Sequence, residues 1–242
     1  MVTNFAAKIY KIGKAVLYAL DWGWNPTHTQ SAINSAELYL SQKTKFPQIE
    51  AMLTKNPKLA EQFNSLEFEK DMSQDWDMNV FLKTYNPESL GYEYAIFIKK
   101  LGFEVLNMNI SESIPAKVRN ILKLGIKNHD VIYFLFHLYK KDDQGKITIN
   151  DYHEWVFLFY TLGSVSGSQK FIPNILLFPS LVKAFFSFRF SEYFKAKKIG
   201  TIMSSAQNLN LIWLKPYFAK KVDEVMQELG IKTLKQLQTH KP

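Results

Sequence analysis

Asn128-His129-Asp130-Val131-Ile132-Tyr133-Phe134-Leu135-Phe136-His137-Leu138-Tyr139 is the stretch on which the reading of this chain turns. It is nearly all apolar and aromatic, yet it carries two histidines and an aspartate. Wound as an α-helix at about 100° per residue, His129, Asp130, Tyr133 and His137 share one arc of roughly 100°. Val131, Ile132, Leu135 and Phe136 cover the remainder, which marks a helix buried on most sides. A carboxylate or imidazole there is strongly disfavoured unless paired, hydrogen-bonded or metal-bound. The polar arc therefore predicts a partner from elsewhere in the chain.

Upstream of this stretch, Ile114-Pro115 introduces a helix carrying Val118, Ile121, Leu122 and Leu124, with Gly125 and Asn128 as places where it can kink or break. Further back, residues 1–30 read as an amphipathic helix and a turn: Phe5, Ile9, Ile12, Val16 and Leu20 recur at threes and fours, with Lys8, Lys11 and Lys14 turned away. Such a helix packs on a core or lies on a membrane interface. Ser31 to Leu40 is helical, and Phe46 to Phe63 is helical with a break at Asn56-Pro57. Asn64 to Asp77 reads as loop and short helix. The helix that follows has Pro87 in its first turn and runs towards Gly102.

Downstream, Lys140 to Lys146 forms a turn, and a helix from about Asn150 to Leu162 places His153 and Glu154 beside Trp155, Phe157, Leu158 and Tyr160. An apolar region from Phe171 to Phe194 contains Phe185, Phe186, Phe188 and Phe190, more aromatic surface than an exposed segment ordinarily carries. Helical text resumes over Ser204 to Lys220 and Val222 to Leu229, with Gly230 as its C-cap. Strands are missing, so the sequence predicts an all-α fold, a single-domain helical bundle over residues 1–242.

Composition narrows the chemistry. Thirty basic against 22 acidic residues give a net charge of +8, carried almost wholly by lysine, since Arg119 and Arg189 are the only arginines. Spread lysine is a solvated surface first and an anionic-membrane or nucleic-acid surface second. No basic and aromatic motif for nucleic acid is legible, so a nucleic-acid partner is not expected. The absence of cysteine removes disulfides, thiol catalysis and thiolate metal sites, and fits an intracellular protein. No secretory signal is evident, because Met1 to Leu20 lacks a continuous apolar core and a small-residue cleavage site. No spanning helix is evident either, because the nearest window, Phe171 to Phe190, is interrupted by Pro173, Pro179, Lys183 and Arg189. The expectation is a cytoplasmic protein or one peripheral to a membrane.

Any metal must then use His, Asp and Glu. His129 and Asp130 on one helix with Glu154 on the next form a recurring arrangement for helical metal sites. The same residues also suit a polar pair inside a core and an ordinary surface carboxylate. A calcium loop is a weaker alternative: with Lys140 counted first, Gly145 and Ile147 stand sixth and eighth, and Asp142, Gln144, Thr148 and Asp151 supply ligands. Lys140 stands where that loop needs an acid. Ser164, Ser166 and Ser168 lack a nucleophile elbow, and Gly163 to Gly167 lacks the spacing of a phosphate cradle.

Taken in order, Met52-Leu53-Thr54-Lys55-Asn56-Pro57, Ser89-Leu90-Gly91-Tyr92-Glu93-Tyr94, His129-Asp130, Phe159-Tyr160 and the ending Asp223-Glu224-Val225 to Glu228-Leu229-Gly230-Ile231 resemble the coenzyme Q biosynthesis protein 4 family. The resemblance runs over residues 36–231. It implies a helical fold with an apolar channel between helices and a site of His-Asp-two residues-His plus a glutamate on the next helix, holding zinc or another divalent ion. His129 and Asp130 match the first positions and Glu154 the last. Tyr133 stands where the second histidine is expected, and His137, about 6 Å further along the helix axis, is a substitute that cannot occupy the same place. The implied ligand is a polyprenylated benzoate-type quinone precursor. The implied role is removal of the ring C1 carboxyl or organisation of other quinone-biosynthesis proteins, with a homodimer expected by analogy. In the catalytic version the ion anchors the carboxylate, with His129, Asp130 and Glu154 as catalytic residues and Glu154 or bound water moving a proton. In the alternative, the chain has lost its metal at Tyr133 and is a non-catalytic isoprenoid-binding or scaffold protein. The Phe171 to Phe194 segment then either packs in the core or contacts the isoprenoid tail or a membrane surface.

Overall fold

Pro57 opens the first continuous part of a computed structural model that describes residues 57–102, 114–165, 180–206 and 208–239, with single positions at 10, 14, 17, 18, 21, 34, 110 and 112. Its helices are α1 (Pro57–Asn64), α2 (Leu66–Ser73), α3 (Met78–Thr84), α4 (Leu90–Leu101), α5 (Ala116–Leu135), α6 (Asp151–Val165), α7 (Phe190–Ala206), α8 (Val222–Glu228) and α9 (Leu234–Thr239). Residues 180–186 are also helical, and 3-10 turns span Leu209–Leu211 and Lys215–Tyr217. The all-α class is as expected. Among the described residues, the only sheet is the two-residue antiparallel hairpin of β1 (Lys140–Lys141) and β2 (Ile147–Thr148).

Local chemistry sets most helix starts. Pro57 lacks the N–H that a first helical residue leaves unused. Ser65, Asp77 and Ser89 each accept a backbone N–H in the first turn of the helix they precede, from Phe68, Asn79 and Tyr92. The cap at Ser89 moves the start of α4 to Leu90, so Pro87 lies in the preceding turn and not in the helix. Gly102, left-handed at φ 68°, ends it. The predicted helix over Ser204 to Lys220 also divides: α7 stops at Ala206, and Pro216 sits inside a 3-10 turn.

Asn128 to Leu135 forms the last part of α5, and the structure differs from the sequence reading in two ways. The helix runs unbroken through Gly125 and Asn128, because the Asn128 amide turns away from its own backbone and donates to the Leu209 and Ile212 carbonyls, each at 2.7 Å. It ends at Leu135 and not at Tyr139. His137 takes a left-handed φ of 54°, its N–H reaches Phe134 O, and Leu138 N–H reaches Tyr133 O at 2.9 Å, a closure that satisfies the last carbonyls. Val131, Ile132, Leu135 and Leu138 are fully buried.

α6 and α7 lie close together because Gly200 presents no side chain there: a Cβ on it would stand 2.5 Å from Val156 O. The Tyr160 hydroxyl of α6 accepts the Leu209 N–H at 2.7 Å, tying the segment after α7 to the same core. A second anchor surrounds Asp71 at the end of α2. Its carboxylate accepts the indole N–H groups of Trp76 and Trp213, each at 2.8 Å. Lys127 of α5 donates to the carbonyls of Asp71 and Gln74, and its ammonium lies 4.9 Å from the Trp76 ring centroid. Burial, opposed by the charge of Asp71, pulls the Lys127 pKa down to about 8.

Asn150 and His153 cap α6 reciprocally. Asn150 Oδ1 accepts the N–H of Tyr152 and of His153, and His153 Nδ1 accepts the N–H of Asn150 at 3.3 Å. This is the logic of a capping box with imidazole in the glutamate position.

The apolar face expected over Asn4 to Leu20 lies outside the described residues; positions 10, 14, 17, 18 and 21 are helical, with Tyr10 and Leu17 exposed. Residues 52–56 and 166–179, including Phe171, also lie outside them.

Asp71→Ala is expected to destabilise the fold by about 3–5 kcal/mol in urea unfolding, because Lys127 is left buried without its anion. Acid should weaken it as well. Burial, helped by Lys140, pushes the pKa of His153 down to about 4, whereas the unfolded residue takes its proton near 6.5. Stability from this group is thus complete above pH 6.5 and falls as pH drops towards 4, by roughly 3 kcal/mol. Urea midpoints followed between these pH values should fall in the wild type and be flatter in His153→Gln.

Candidate functional site

The helical spacing of α5 puts His129, Asp130 and Tyr133 on one face, and α6 delivers Glu154 to it. His129 Nδ1 and Asp130 Oδ1 are 2.7 Å apart. The Tyr133 hydroxyl donates to Glu154 Oε2 at 2.7 Å. Phe157, one turn beyond Glu154, closes the apolar side: its ring meets His129 edge-on at 4.5 Å and Tyr133 at 4.8 Å between centroids. Tyr133 is fully buried, while His129 and Asp130 keep 28% and 27% of their side-chain surface accessible. The cluster is a half-buried polar site with an aromatic wall.

Electrostatics follow from this placement. Burial opposes charge on His129, but the hydrogen bond and charge of Asp130, with the charge of Glu154, outweigh it and raise its pKa. Burial raises the pKa of Glu154, against the pull of the Tyr133 hydrogen bond and of His129. Burial and the neighbouring Glu154 carboxylate hold the Tyr133 phenol well above its usual range, so it acts as a neutral donor. Tyr94 of α4 is held up in the same way by burial and by the charge of Asp130.

The structure thus brings together His129, Asp130, Tyr133 and Glu154. It does not bring His137 to them. That residue lies beyond the end of α5, exposed, with its ring 5.6 Å from that of Tyr139, so the shared helical arc ends at Tyr133. Phe157 was not legible as a site residue; its position three residues after Glu154 on a helix is the signal that would have found it.

The fit of this cluster to a divalent ion can be tested on its donors. A resident zinc site takes three or four protein ligands, with histidine nitrogen and carboxylate oxygen the types available in a chain without cysteine. Here His129 Nδ1 and Asp130 Oδ1 are engaged with each other, and a neutral phenol turned towards Glu154 fills the place of a further ligand. Among the described residues no group of three or more His, Asp or Glu side chains is arranged to hold a metal ion. The residues present do not fit the ion that the family resemblance implies. In the Lys140 to Ile149 turn, Asp142 Oδ1 accepts the N–H groups of Gln144 and Lys146, and Asp151 is engaged by Lys183 and Arg189. Those carboxylates close the turn and anchor the chain rather than facing a common point. An open groove of about 550 Å³, lined by Gln62, Ile212, Trp213, Tyr217, Lys220 and Glu228 among others, shares no residue with the cluster.

The chain is similar in structure to a candidate ubiquinone biosynthesis protein from Nostoc punctiforme, known from a crystal structure, with 15% sequence identity and a TM-score of 0.61 over 90% of this chain and 97% of that one. At that identity the likeness shows a shared fold. No family model matches the sequence, and no curated protein matches it.

Tyr133→Phe should cost about 1–3 kcal/mol in urea unfolding at pH 7, because Glu154 loses its donor. Adding Glu154→Leu should recover part of that loss, a coupling that a double-mutant cycle reads directly.

Proposed function

We propose that this chain serves ubiquinone-type biosynthesis as a non-catalytic protein that binds a polyprenylated aromatic ring and holds a ring hydroxyl at the His129, Asp130, Tyr133 and Glu154 cluster. The near full-length likeness to a protein described as a candidate for that biosynthesis supports the pathway class. The observation that carries the binding role is the Tyr133 to Glu154 hydrogen bond, which puts a proton donor where the family pattern has a metal ligand. The cluster sets two carboxylates against one imidazole. A ring that still bears its carboxylate meets like charge there, whereas a phenolic hydroxyl meets acceptors, Glu154 and Asp130 each having a second oxygen to offer. Phe157 and Tyr133, both buried and packed on each other, form an apolar backing behind the polar groups.

A second reading, metal-assisted removal of the ring C1 carboxyl, draws on one observation. Asp130 orients His129 through Nδ1, which is how outer carboxylates orient metal-bound imidazoles. The two readings separate by metal content and ligand preference. On the first, the purified protein carries no stoichiometric zinc, a prenylated phenol binds about tenfold more tightly than the benzoate with the same tail, and Tyr133→His acquires zinc. Stoichiometric metal in the wild type, together with preference for the benzoate, would overturn it in favour of the second. Elemental analysis and titration of intrinsic tryptophan fluorescence measure both.

A further inference from the structure

We infer that the turn joining helical residues 180–186 to α7 is a docking tip that inserts its phenylalanines into an anionic lipid bilayer surface. Phe188 N–H reaches Phe185 O at 3.1 Å and Arg189 N–H reaches Ala184 O at 2.9 Å, the pair of bonds that closes a helix with a left-handed residue. Glycine is the usual occupant of that position. α8 ends in the same way with Gly230 at φ 63°, Ile231 N–H reaching Met226 O. At the tip the residue is Phe188, held at φ 56° with 96% of its surface exposed. A bulky side chain is disfavoured in that backbone region, and this one gains no burial within the chain in return. On either side of it in the chain, Phe186, Phe185, Phe190 and Phe194 form a row of exposed rings, with successive centroids 5.6, 5.8 and 5.5 Å apart.

The base of the tip is anchored by burial and ion pairs. Ala184, Tyr193 and Ala196 are buried, Lys183 and Arg189 hold Asp151 of α6 at 2.7 and 3.1 Å, and Arg189 also holds Glu192. With those acids engaged, the charge left around the rings is positive: Lys195, Lys197 and Lys198 are exposed on α7 and form no ion pair among the described residues. They follow Phe190 by about 7–12 Å along the helix axis. That offset suits rings at the acyl boundary with lysines reaching lipid phosphates. A second copy of the chain would bring the same lysines against each other, so charge complementarity selects the bilayer.

This inference is independent of the ligand reading, since its test uses no ligand. Full-length protein is sedimented with vesicles of phosphatidylcholine alone and of phosphatidylcholine mixed with phosphatidylglycerol. The expected result is binding to the mixed vesicles that weakens with salt. Phe188→Gly should lower it roughly tenfold, while leaving the melting temperature unchanged or higher because glycine relieves the left-handed backbone. Replacing Lys195, Lys197 and Lys198 together by glutamate should remove the preference for anionic lipid. Three results would each overturn the inference: no binding by the wild type, equal binding by Phe188→Gly, or a concentration-dependent dimer that Phe188→Gly abolishes without any vesicle binding.

Discussion

Three buried polar side chains on α5, Lys127, Asn128 and Tyr133, must find partners, and each recruits a different part of the chain. Lys127 turns to the carbonyls at the end of α2, Asn128 to the carbonyls of Leu209 and Ile212, and Tyr133 to Glu154 on α6. An unsatisfied group of this kind costs a sizeable fraction of the net stability of a domain. These hydrogen bonds therefore set the rotation of α5 about its own axis, and with it the face on which His129 and Asp130 stand. The apolar residues between them supply most of the burial, but apolar contact is tolerant of rotation and hydrogen bonds are not.

The same constraint shapes the candidate site. Tyr133 pairs with Glu154 and His129 with Asp130, so one polar atom of each of these side chains is engaged within the cluster. A histidine in place of Tyr133 would offer a lone pair; the phenol offers a proton. That one difference replaces an acceptor nitrogen with a hydroxyl donor, and Glu154 takes the donated proton in a hydrogen bond. The buried ring of Phe157 belongs to the same logic, since it packs against both His129 and Tyr133 and fixes their positions on the face of α5.

Helix termination shows how far sequence reasoning reached. Gly230 was legible as a C-cap because glycine itself is the signal. His137 and Phe188 perform the same turn with residues that carry no such signal, so the apolar run to Tyr139 read as continuous helix and the Phe171 to Phe194 region as undivided. The starts were better: Pro57 and Pro115 stand where a residue without an N–H is tolerated. At Pro87 the side chain of Ser89 decided otherwise, two residues on.

By itself, the sequence determined that the chain is helical, that no disulfide or thiolate chemistry is open to it, and that His129, Asp130 and Glu154 belong to neighbouring helical faces, because periodicity and residue chemistry are local properties. Tertiary structure alone decided that Tyr133 is the partner of Glu154, that His137 leaves the cluster, and that the phenylalanines around Phe188 face outward. The reason is physical: a hydrogen bond between helices depends on their rotation and separation, and whether an aromatic ring is core or surface depends on which elements come to cover it. Neither is written in the spacing of one segment.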